Sequence, residues 1–221
     1  MATELADFKK YISPDVLPCP DPIVERELIG TLMDFCKQTH VLTKDFNVDL
    51  TDADIDTGLQ DAVDIDIREW ISGYRPLALV RLNIDGLDYD LEYREILNTI
   101  ENWEALKDDT KKYFFFVNDN TLRIYDMDTS DDDIYIRLAV KPKRSITEIE
   151  DMIYDDHVET IAAGTKYRIL IMPGKPWTDR ATAKDYFTLW RRGVTKARLN
   201  FDKGYTREPG TVYPRSFGGI D

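Results

Sequence analysis

Cysteine and histidine are scarce: this chain of 221 residues has two of each, so few of the side chains that usually carry metal or nucleophilic chemistry are present. Cys19 and Cys36 stand alone, without C-x-x-C spacing, and read as reduced thiols of a cytosolic protein, with Cys36 in the core. His40 and His157 are far apart and outside any H-E-x-x-H helix, so both are expected as surface or helix-capping residues. A Gly-rich phosphate loop and a Gly-x-Ser-x-Gly elbow are missing. No window approaches the roughly 18 apolar residues that span a bilayer. The start, "MATELADFKKY", lacks the apolar stretch of a signal peptide. No catalytic residue, metal, cofactor or membrane contact is expected.

Positive charge is also short, with 29 Lys+Arg against 42 Asp+Glu and a net charge of −13. A hydrophobic fraction of 43% and an aromatic fraction of 11% nevertheless describe a folded chain, long enough for one domain with a real core or with a large insertion. The deficit is local. Residues 1–140 hold 14 basic and 31 acidic side chains, whereas residues 141–221 hold 15 and 11. Ala162 to Arg215 alone carries 12 basic and 4 acidic residues. Such a dipolar subunit suits a head-to-tail contact in which an acidic face meets a basic one. The acidic body disfavours general nucleic-acid binding, because phosphates are repelled.

Residues 1–20 end in "SPDVLPCPDP", whose prolines predict an extended arm or linker. Asp21 is expected to cap a helix with Pro22 at its first position. Val24, Leu28, Leu32, Phe35 and Cys36 give that helix one apolar stripe to about Thr39. From there the period becomes two. Val63, Ile65 and Ile67 alternate with charged neighbours, as do Ala78, Val80, Leu82 and Ile84. Asp85-Gly86 predicts a hairpin turn. "KYFFFV", "NDN" and "TLRIY" predict a second, and "IYIRLAV" places Ile134, Ile136, Leu138 and Val140 on one face before Lys141-Pro142. "REILNTIENW" fits a short helix or a strand.

The helical period returns from Ile149 to Met172, with apolar residues in two opposed sectors that must be covered either within the chain or by a neighbouring subunit. Ala162, Ala163 and Gly164 allow close approach. A Pro173-Gly174-Lys175-Pro176 corner ends this helix, with Trp177 in the core. Thr178 is the expected cap of the last helix, to about Lys203. Ala183, Tyr186, Phe187, Trp190, Val194, Ala197 and Phe201 form its single apolar stripe, and Trp190 is read as core. The fold class is therefore α+β: a small antiparallel helical bundle (21–40 and 146–203) with a mostly antiparallel β insertion (41–145), an N-terminal arm (1–20) and a C-terminal tail (204–221).

The acidic loops offer weak chemistry. Asp52, Asp54 and Asp56 alternate as calcium ligands do, but Thr57 and Val63 stand where an EF-hand needs Gly and Glu. "DTSDDD" at 128–133 reads likewise as a solvated connection, and carboxylates are too abundant here for any glycosidase pair to stand out. The basic end is more specific. Arg191, Arg192, Lys196, Arg198 and Lys203 on the last helix, with Tyr205, Arg207, Tyr213, Arg215 and Phe217 in the tail, interleave arginine and aromatics as interfaces do.

"CPDP" opening a helix that ends "FCKQT", "LAVKP" before the next helix, and "IAAGTKYRILIMPGKPW" resemble the head–tail adaptor (connector, or neck) proteins of tailed bacteriophages. The matching pieces are the first helix and most of residues 136–204, about half the chain; the MPGKPW corner is the most specific, and the β region matches in layout. Many relatives carry Asp-Gly where this chain has Asn118-Asp119-Asn120. The resemblance implies a non-enzymatic structural protein of the virion, made in the host cytoplasm. It implies a ring, usually of twelve copies, beneath the portal vertex, contacting the portal protein through the basic helix and tail and the tail or nozzle proteins through the β region, with DNA passing the channel during genome ejection. Two other classes compete: an acidic DNA mimic that inhibits host nucleic-acid enzymes, and a small carbohydrate-active enzyme.

Overall fold

The computed structural model describes residues 2–49, 55–56, 62–84, 86–93, 111–125 and 133–203. In chain order the elements are β1 (Ala2–Glu4), α1 (Leu5–Ile12), α2 (Asp21–Thr39), β2 (Thr43–Asp49), β3 (Ile55–Asp56), β4 (Ala62–Asp66), β5 (Tyr74–Ile84), β6 (Leu87–Asp88), β7 (Asp90–Tyr93), β8 (Lys111–Asn118), β9 (Thr121–Tyr125), β10 (Asp133–Pro142), β11 (Glu148–Glu150), α3 (Asp151–Leu170) and α4 (Arg180–Asp202). Helices and mainly antiparallel sheets make the fold α+β.

The first residues depart from the expected arm. Leu5, Phe8, Ile12 and Val16 recur at three- and four-residue spacing, and all are buried. They fold as α1 followed by a short 3-10 turn over Ser13–Asp15. β1 pairs antiparallel with β11, and Phe8 stacks edge-on against Tyr154 of α3 with ring centres 5.0 Å apart. The prolines after Ile12 end this helix; they do not extend its whole length.

α2 buries Val24, Leu28, Leu32, Phe35 and Cys36 completely. Its cap is Pro20, with Asp21 already inside the helix and no side-chain cap bond, one residue earlier than expected. It stops at His40, which has a left-handed backbone (φ 56) and whose amide donates to the Cys36 carbonyl at 2.9 Å.

Two sheets follow, in the orders β2-β10-β5-β6 and β3-β4-β9-β8-β7. Every pairing in them is antiparallel except β7 with β8, which is parallel. Ile84 faces Leu87 across a turn containing Gly86 at φ 85, as the Asp-Gly signal predicts; Asp85 itself lies outside the described residues. Asn118 pairs with Thr121, so the second hairpin turns on Asp119-Asn120. Ile134, Ile136, Leu138 and Val140 are fully buried. In β5 the expected face is wrong in part. The register slips at Val80, so Leu79 is buried while Ala78 and Val80 are half-buried; a bulge exchanges the two faces of a strand. "REILNTIENW" and most of the two acidic loops lie outside the described residues.

α3 is the hub, with Ile149 preceding it in β11. One apolar sector meets α1, the other α2 and α4. Both are largely covered within a single chain, with Met152 and Ile171 left 37% and 43% exposed, so the two-sided pattern does not by itself demand a neighbour. His157 is another departure. It is buried mid-helix, its ring 4.9 Å from that of Phe35, and neither surface residue nor cap. Gly164 sits where α4 crosses: an added Cβ would lie 2.5 Å from Trp190 Cε3 and 2.7 Å from Thr31 Cγ2.

Candidate docking surface on the last helix

α4 is held at its start by the corner. Pro173, Gly174 and Pro176 are exposed, and Gly174 has φ 67, a conformation glycine adopts without strain. Trp177 is half-buried against the core, and its indole N–H has no acceptor. The Asp179 amide donates to the Leu170 carbonyl at 3.0 Å, which closes the turn. Asp179, not Thr178, is the cap: its carboxylate accepts from the amides of Ala181 and Thr182 at 3.0 and 3.2 Å. The Thr182 hydroxyl, which donates to the same carboxylate at 2.6 Å, and these two amides hold its pKa below the ordinary carboxylate value. Thr178 instead donates to the Met172 carbonyl and accepts from the Lys175 amide, bracing the corner.

Ala183, Trp190, Val194 and Ala197 are buried toward α3 and α2, with Tyr186 and Phe201 half-buried. Phe187 is more open, at 36% exposure, and packs against Tyr167 at 4.8 Å. The remaining circumference is outward. Arg191, Arg192, Lys196, Arg198 and Lys203 are all exposed there, so the structure brings four of these expected residues onto α4 and the fifth, Lys203, to its C-cap. Tyr205, Arg207, Tyr213, Arg215 and Phe217 lie outside the described residues. Arg191 rests over the Phe187 ring at 5.8 Å, and Arg198 reaches Asp202 at 3.9 Å.

Two grooves flank α4. One, of about 480 Å³, lies between α3 and α4 and is lined by Asp155, Asp156, Glu159, Lys196 and Asn200, with His157 among its walls. The other, of about 730 Å³, lies between the end of α2 and α4, with Lys37, His40, Arg191, Arg198 and Leu199 in its lining beside two carboxylates, Asp34 and Asp202, that pair with Arg168 and Arg198. Residues two apart on a helix point about 200° apart. Gly193 and Asn200 line the first groove and Arg191 and Arg198 the second, so the grooves open on opposite sides of α4. Burial lowers the pKa of both histidines, aided by Arg198 at His40 and opposed by Asp156 at His157. His157 Nε2 has no hydrogen-bond partner.

Several functional-looking contacts escape the sequence. Arg168 lies across α2 at Gly30, pairing with Asp34 and reaching Glu27 at 3.6 Å. On the outer face of the first sheet, Arg137 takes Asp45 in a two-bond pair at 2.8 and 2.7 Å, and Arg81 takes Asp88 at 2.7 and 2.8 Å. Arg81 and Asn83 hold Asp88 at about 2. Cross-strand register, which no single stretch reveals, creates these pairs.

Burial pushes the Cys36 thiol up to about 12 and also raises Cys19, so neither offers a thiolate near neutral pH. Among the described residues no group of three or more His, Cys, Asp or Glu could hold a metal ion, and no helix is long and apolar enough to cross a membrane. Compared with known proteins, the chain matches no family model and no curated sequence.

Proposed function

We propose that this chain is a non-enzymatic head–tail adaptor of a tailed bacteriophage virion. Its helices would form a small antiparallel bundle, residues 41–145 a β insertion, and the copies a ring, of twelve as the resemblance implies, extending the DNA channel from the portal toward the tail. The observation that carries the reading is the outward basic face of α4, placed on a helix that is rigidly cornered, capped and packed, on a protein of strongly negative net charge. A rigid helix presenting arginine beside exposed leucine suits protein docking. Leu189 and Leu199 are 54% and 51% exposed. The basic face and the tail would dock on the portal, and the β region would meet the tail proteins.

The ion pairs on the sheet face count against the DNA-mimic reading, because Asp45, Asp64 and Asp88 are each neutralised by an arginine and do not stand in open phosphate-like rows.

The test is co-sedimentation with purified portal-bearing heads. The full chain should bind, and a chain lacking residues 205–221, or carrying Arg192→Glu and Lys196→Glu, should fold normally by circular dichroism and lose binding. Normal attachment of both variants overturns the assignment.

A further inference from the structure

Many charges of the helical half are paired within the chain: Lys166 with Asp15 at 2.5 Å, Lys9 with Glu25 at 3.0 Å, Arg168 with Asp34. Among those that are not, two sets cluster. Asp155, Asp156 and Glu159 on the exposed face of α3 have no ion-pair partner among the described residues, and neither do Lys37 on α2 and Arg191 on α4. Both sets lie in the grooves described above, on opposite sides of α4. Each has apolar company: Met152, one turn before Asp155 and Asp156 on α3, is 37% exposed, and Leu199 in the α2–α4 groove is 51% exposed.

We propose that the acidic ridge of α3 in one copy docks into the α2–α4 groove of the next, so that Asp155, Asp156 and Glu159 meet Lys37, Arg191 and Arg198. The occupant is a second copy of this chain because both halves of the contact, complementary in charge and matched in apolar margin, sit on the same molecule. Since the two surfaces are different and face opposite ways, the contact is heterologous, and copies join head to tail as a closing ring requires. The inference rests on the adaptor reading for its closed ring and divides the basic set: Arg191 and Arg198 serve the neighbour, leaving Arg192 and Lys203, with Lys196 at the rim of the acidic groove, for the portal.

A charge swap on the full chain tests it. One variant carries Asp155→Lys and Glu159→Lys, the other Lys37→Glu and Arg191→Glu; all four positions are exposed, and circular dichroism checks each fold. In sedimentation velocity at low ionic strength, where exposed charges act over more than ~10 Å, the native chain should self-associate and each variant alone should remain monomeric. An equimolar mixture should recover the native assembly, because alternating copies restore opposite charge at every contact. Native-like assembly of either variant alone, a mixture that stays monomeric, or a monomeric native chain overturns the contact. Binding of the native chain to portal-bearing heads is scored separately: binding with a failed swap leaves the adaptor reading standing, and a successful swap without binding leaves only the contact.

Discussion

Gly164 shows how much one missing methyl group decides. Trp190 and Thr31 occupy the space a side chain would need, and neither can swing away without leaving the core. Gly164→Ala is expected to cost about 1–3 kcal/mol, the usual penalty for overpacking, read as a lowered urea midpoint with an unchanged slope. His157 acts through its proton. The folded protein keeps it neutral because burial disfavours the cation and Nε2 has no acceptor. The unfolded chain takes up that proton near the ordinary value of 6.5. Its contribution is therefore complete above that pH and is lost as pH falls below it. Asp66 and Asp88, held at about 2 by Arg68 and Arg81, matter only below the ordinary carboxylate value of 3.8. Between pH 7 and 5, the melting temperature of His157→Gln should accordingly fall less steeply than that of the native chain; parallel curves would remove His157 as the cause.

Among the elements, α4 depends on a cap one residue past the expected Thr178. Asp179→Ala should lower the midpoint of chemical denaturation, as the loss of a cap does. Arg137→Gln, which breaks an exposed sheet-face pair, should cost under ~1 kcal/mol. The periodic elements were legible. The apolar stripes of α2 and α4, both hairpin turns and the inward face of β10 follow from spacing alone. The failures share a physical origin: they depend on partners distant in sequence. Ile12 and Val16 could be placed only once α3 was there to receive them, the Val80 bulge is a property of the β5–β10 pair, and His157 looks like a helix-end residue until Phe35 packs against it. Of the proposed docking residues, four on α4 and Lys203 at its cap were readable as the leftover arc of an amphipathic helix. The acidic ridge opposite them was hidden, because in so acidic a chain three more carboxylates carry no signal until the fold shows that they lack partners.

Across the whole molecule, one hydrophobic core runs from Phe8 through the helices to Ile84 in the sheets, so the N-terminal segment is part of the core and not an appendage. Removing residues 2–12 should uncover α3 and leave a protein with reduced helical content by circular dichroism and a tendency to aggregate by light scattering, whereas an extended arm could be cut without either effect. The pairing of Ala2 with Glu150 also has a consequence for birth at the ribosome. The hydrophobic helix α1 must wait for the strand and helix that receive it, and at 5–20 residues per second that delay is on the order of ten seconds. Throughout that interval Phe8 and Ile12 are bait for chaperones, and co-translational folding can begin only with the sheets that emerge in between.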